Sequence, residues 1–106
     1  MKILWSEFAS ENLTEIYKYY KEVAGESIAR RIKNEVFYSV SQLIQYPQSG
    51  QIEISLSGLN EGHRYLVSGN YKIIYKEVIE GILITDIFDT RQDPKKMNDP
   101  KRKTLR

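Results

Sequence analysis

The sequence contains no cysteine and a single histidine, His63. The first absence removes disulfides, thiolate catalysis and cysteine-ligated metal sites together, and makes a reducing cytoplasm the expected location. The second leaves too few ligands for a structural metal site, and no cofactor is expected. No apolar run is long enough to span a membrane. The opening MKILWSEF is also too short in apolar residues for a signal peptide, because Glu7 follows at once.

What is present describes one ordinary globular domain. A chain of 106 residues can bury a single core, and 41% hydrophobic with 28% charged residues excludes disorder of the whole chain. The formal charge of +2 hides an asymmetry. From residue 92 on there are six basic and two acidic side chains, so the end of the chain carries +4 and the first 91 residues carry −2. Residues 95–106 are read as a basic C-terminal tail, more simply a solvated end than a reader of nucleic acid.

Two helices are expected first. After the short apolar stretch Lys2 to Trp5, a candidate strand, Ser6 is placed to cap a helix whose stripe is Ala9, Leu13, Ile16, Tyr17, Tyr20, Val23 and Ala24. Gly25 ends it. Ser27 is expected to cap the second helix, striped by Ile28, Ile32, Val36, Val40 and Leu43 with Ala29, Phe37 and Ile44 beside them, and Pro47 stops it. So short a connection makes the pair an antiparallel helix hairpin.

Strands follow. Ile52, Ile54 and Leu56 alternate with Glu53 and Ser55, placing Glu53 on the solvent side; His63 to Ser68 and Tyr71 to Lys76 form a hairpin, and Ile82 to Asp89 is apolar on both faces. The expected fold class is therefore α+β: an N-terminal strand and an antiparallel helix hairpin packed on one face of a twisted, mainly antiparallel sheet, with the other face open. Arg64 near the start of the stretch Gly62 to Pro94, and Arg91 near its end, suggest two cations presented on that sheet.

In order and context, the opening WSEFASENLTEIYKYY, the helix closed by YPQSG, the arginine in HRYLV, the YKIIY strand and the strand leading to DTRQDP resemble the RelE/ParE superfamily of bacterial type II toxins, the plasmid stabilisation type. The resemblance covers residues 1–94. It implies a toxin that inhibits growth unless neutralised by a cognate antitoxin, and it leaves the target open. RelE-like relatives cut mRNA in the ribosomal A site, whereas ParE-like relatives poison DNA gyrase. Any contact with DNA itself is expected only through the antitoxin complex.

Cleavage by a 2′-OH would need a cationic clamp, a base and an acid. Arg64 and Arg91 match the family arginines, although each could instead be structural, Arg64 pairing with Glu53 or Asp89 and Arg91 with Asp89 or Asp93. Serines stand at Ser55 and Ser57 where RelE-like nucleases carry lysines, and neither tyrosine nor histidine follows Arg91. Glu53 and His63 are the substitutes for a base, with Glu61 and Tyr65 nearby. Lys72, Lys76, Lys95 and Lys96 are candidates for binding a target or phosphate, and Tyr19, Arg30, Arg31 and Lys33 for binding an acidic amphipathic antitoxin. The missing groups tilt the expectation towards ParE-like poisoning, with RelE-like cleavage or a non-catalytic relative as alternatives.

Overall fold

The computed structural model describes residues 1–103. Strand β1 (Ile3–Trp5) leads into α1 (Glu7–Ala24), which turns at Gly25 into α2 (Glu26–Ser41). After a 3-10 turn at Gln42–Ile44 come β2 (Gln51–Ile52), a 3-10 helix (Ile54–Leu59), β3 (Arg64–Ser68), β4 (Tyr71–Val78) and β5 (Gly81–Asp89). A 3-10 helix (Pro94–Asn98) and the short α3 (Pro100–Lys103) complete the described chain. The sheet order is β1-β5-β4-β3-β2, with β1 parallel to β5 and every other pair antiparallel.

The helix hairpin forms as its sequence dictates at one end and differently at the other. Ser6 caps α1, its hydroxyl accepting the Ala9 N–H at 3.0 Å. Gly25 closes α1 and also opens α2, at φ +96°, a conformation that favours glycine. Ser27 is thus not the cap that the sequence suggested; it lies inside the first turn of α2 and is exposed. The inner stripe of the hairpin, Ala9, Leu13, Val36 and Val40, packs with Leu43 on Tyr71, Ile73, Tyr75, Ile82, Ile84 and Ile87 of the sheet. Each fully buried large side chain here stabilises the fold by about 1.5–3 kcal/mol.

An irregularity in β5 gives the sheet a second core. Ile74 pairs with Asp86 but Tyr75 pairs with Ile84, so Thr85 is an extra residue, and its hydroxyl donates to the Ile74 carbonyl at 3.3 Å. The bulge shifts the alternation, sending Ile87 to the helices and Phe88 to the opposite face. There Leu56, Ile74, Phe88 and Met97 are all at or below 1% exposure, with Leu59 and Tyr65 packed against them. The face expected to be open is therefore covered by the two 3-10 helices.

Two expectations fail for one reason. Residues 52–56 are not a regular strand: β2 stops at Ile52 and the chain coils, burying Leu56 and leaving Ile54 79% exposed. The basic segment is likewise no free tail up to Lys103, because Met97 is fully buried and Arg102 pairs with the buried Asp86. A sheet face as apolar as Ile74 and Phe88 must be covered, and these segments supply Leu56 and Met97 to cover it. Positions 104–106, including Arg106 of the basic stretch, lie outside the described residues.

Candidate functional site

Arg64, in register with Tyr75 of the main core, stands on the helix side of the sheet, whereas Lys72 and Lys76 stand on the opposite face and are both paired. Lys72 and Lys76 share that face of β4, as alternation requires. Lys72 Nζ lies 2.8 Å from Glu53 Oε1 and 4.1 Å from the centre of the Tyr65 ring. Lys76 Nζ lies 3.1 Å from Glu61 Oε1. Glu53 is 3% exposed, not on the solvent side: its backbone N–H donates to the His63 carbonyl, and its carboxylate accepts the Ser55 N–H at 3.1 Å and caps the following 3-10 helix. His63 is equally buried, just ahead of β3, with Nε2 4.0 Å from Glu61.

The two arginines that match the family pattern belong to different neighbourhoods. Arg64 pairs across the ladder with Tyr75, while Tyr71 pairs with Asp89, next to Arg91. Tyr71 and Tyr75 stand four residues apart on one strand, about 13 Å along it. Arg64 makes neither of its expected carboxylate pairs; Nη1 donates to the carbonyl of Gly50 at 2.9 Å and approaches that of Gln48 at 3.5 Å. It thereby ties down the loop that returns from α2. In the same place the Gly50 N–H donates to the buried Tyr75 hydroxyl at 2.9 Å. A Cβ at residue 50 would lie 2.5 Å from that hydroxyl, so glycine is required for closeness.

Arg91 makes the acidic pair foreseen as one of its alternatives. Its Nε and Nη2 donate to the two Asp89 oxygens at 2.9 and 2.7 Å, and its backbone N–H donates to Oδ1. The guanidinium hydrogen bond holds the Asp89 carboxyl below its ordinary range, against a smaller opposing effect of burial. Asp89 and, more weakly, the Tyr20 hydroxyl raise Arg91 in turn. Burial, followed by the neighbouring Tyr20 hydroxyl 3.5 Å away, pushes Tyr71 up. Burial also raises Tyr75, partly offset by the Gly50 N–H.

The residues assigned to antitoxin binding are not gathered together. Lys33 sits in the seam between the helices, 5.0 Å over the Tyr17 ring, at the lip of a mainly apolar groove formed with Trp5, Leu13 and Phe37. Arg30 and Arg31 face the side towards β3, with exposed partners Glu26 and Glu35. Tyr19, 57% exposed, lines a cleft on the other flank of the hairpin with Tyr71, Asp89 and Arg91. Lys95 and Lys96 are exposed on the last 3-10 helix.

Two features escaped the sequence reading. Phe37, counted in the buried stripe, is 46% exposed and meets Trp5 edge-on at 5.5 Å, making the groove wall. Arg102 lies between the rings of Phe8 and Phe88 at 5.2 and 5.1 Å and pairs with Asp86, which also accepts from Asn12 Nδ2 at 3.0 Å. The wide apolar stripe of α2 hinted at the first. Nothing local marks Arg102 within a run of basic residues. Among the described residues there is no group of histidine, cysteine, aspartate and glutamate able to hold a metal, and no helix is long and apolar enough to cross a membrane.

This arrangement, two helices over one face of a bulged five-stranded sheet, defines the architecture of the class. The chain matches the family described as ParE toxin of type II toxin-antitoxin system, parDE, over residues 3–94, and it belongs to that family. A solved structure titled as the chromosomal ParDE TA system from P. aeruginosa has the same fold, with a TM-score of 0.72, 21% identity, and coverage of 84% of this chain and 95% of that one. No curated protein matches the sequence.

Proposed function

We propose that this toxin arrests growth by ParE-like binding to a protein target, DNA gyrase, and not by cutting mRNA. The observation that carries the reading is the pairing of the chemically eligible groups: Glu53 is buried against Lys72, Arg64 is engaged with backbone carbonyls and Arg91 with Asp89. A base held buried in an ion pair is poorly placed to take a proton from a 2′-OH. Of the four lysines considered for target binding, Lys95 and Lys96 are exposed and outside the described ion pairs, whereas Lys72 and Lys76 are paired.

The cognate antitoxin is assigned to the helix hairpin, an acidic amphipathic helix laying its apolar face in the Trp5, Leu13 and Phe37 groove with a carboxylate at Lys33. The site of action is the cytoplasm. The test is induced expression while DNA, RNA and protein synthesis are followed separately, with gyrase supercoiling assayed on purified protein. Arrest of DNA synthesis first, with intact transcripts, is expected. Cleavage of ribosome-bound message that Arg64→Ala abolishes would sink the reading in favour of RelE-like chemistry.

A further inference from the structure

Strand β3 is longer than the edge strand that covers it. The β2 register ends at Gln51 opposite Tyr65, so among the described residues no strand pairs with Leu66 to Ser68 on that side. The Glu53 N–H donates to the His63 carbonyl, which identifies 53 with 63, and hence 51 with 65, as hydrogen-bonded pairs. By the same alternation the N–H and C=O of Val67 point towards the uncovered side. The Val67 side chain, 61% exposed, lies on the face away from the helices, in register with Lys72. An edge of this kind is a ready template for a further strand.

The surroundings select what can pair there. Ser68, at the end of β3, shares a cleft of about 630 Å³ with Arg30, Arg31, Asn34 and Tyr38 of α2. Both arginines are well exposed, and among the described residues they form the i,i+4 ion pairs to Glu26 and Glu35 at 3.1 and 3.9 Å. Such surface pairs are weak and exchange readily for a better carboxylate. Tyr38, 71% exposed, adds an aromatic wall. A second copy of this chain is a poor occupant, because two β3 edges paired about a dyad would bring the two arginine pairs together.

We propose that the open edge of β3 is a docking site for an extended acidic segment of a partner protein, bound by strand addition. Main-chain bonds to Val67 give the incoming strand its register, and alternate residues meet different walls. Carboxylates face Arg30 and Arg31 beside α2, and apolar side chains lie on the other face beside Val67. This surface is separate from the Trp5 and Phe37 groove, and the inference holds or fails independently of the gyrase reading.

The test uses the full chain and three synthetic probes: an alternating glutamate-valine peptide, its lysine-valine counterpart, and a glutamate-alanine peptide that forms a helix. The alternating acidic peptide should bind at least about tenfold more tightly than the other two, a difference of about 1.4 kcal/mol. It should also slow hydrogen exchange of the Val67 amide. Val67→Pro removes that donor without touching the β4 ladder and should abolish binding, whereas Val67→Ala should retain it. Arg30→Glu with Arg31→Glu should erase the acidic preference. No binding of the alternating acidic peptide, an unchanged Val67 amide in wild-type protein, or equal affinity for the helical peptide would each overturn the proposal.

Discussion

Arg102, on the last described turn, closes over the fully buried carboxylate of Asp86, with its guanidinium between the rings of Phe8 and Phe88. Truncating one partner of such a pair strands the other charge in the core, which costs about 3–5 kcal/mol. Arg102→Ala should lower stability by that order in urea denaturation. Arg102→Lys should recover only part of it, since an ammonium keeps the charge but not the planar, many-donor guanidinium that reaches Asp86 while lying near both rings.

Met97 tests whether the C-terminal segment belongs to the core. Met97→Ala should destabilise by about 2–5 kcal/mol, the range for deleting a buried side chain. A chain ending at Asp93 should lose more and expose Leu56, Ile74 and Phe88 to a hydrophobic dye. A truncated chain with an unchanged thermal midpoint would show that the covering layer is dispensable.

The bond from the Gly50 N–H to the Tyr75 hydroxyl is buried, so Tyr75→Phe leaves a donor without its partner at a cost of about 1–3 kcal/mol. Gly50→Ala should cost a similar amount or more through overpacking against Tyr75 and the Tyr65 carbonyl. Both are read from equilibrium unfolding.

Glu53 and Lys72 separate a structural pair from a catalytic base. Lys72→Met should destabilise by about 3–5 kcal/mol through the stranded Glu53 carboxylate, and Glu53→Gln in the same chain should restore most of the loss. Growth arrest should survive Glu53→Gln in chains that still fold. Loss of arrest in a stable Glu53→Gln protein would count against the binding mode and for proton transfer.

Two pH limits follow from the shifted groups. Because the Asp89 carboxyl is lowered by Arg91, its contribution is present above the ordinary value of 3.8 and disappears as pH falls through the lowered one. Asp89→Asn should therefore be less stable than wild type near neutrality, and equal to it in strong acid. Tyr71 and Tyr75 are raised, so their contribution is intact below 10.0 and fades as pH climbs above it. Tyr71→Phe should blunt the alkaline loss seen by circular dichroism.

The helix hairpin and the strands from Arg64 to Asp89 were legible because their apolar residues repeat at helical and strand periods. The stretch from Ile52 to Leu56 misled for the same reason: it alternates like a strand, yet only Leu56 finds an apolar surface, and the chain coils to deliver it. That false alternation predicts a solvent-facing Glu53, which the coil instead buries against Lys72. The Thr85 bulge, which sends Ile87 and Phe88 to opposite layers, leaves no local signature in a strand apolar throughout. The surroundings of Arg64 were out of reach because its partners are backbone carbonyls, which every residue has.

The parallel pairing of β1 with β5 joins segments from opposite ends of the chain, and Ser6 bonds to Thr85 across 79 residues. Closing so distant a contact comes late and slowly in folding, because the loop between must be ordered before the pairing rewards it. A chain still being synthesised has all the residues of its helix hairpin before it has those of β5. The groove wall that Trp5 supplies from β1 is therefore secured only once β5 is in place, so pairing of these two strands is also the step that completes the Trp5 and Phe37 groove.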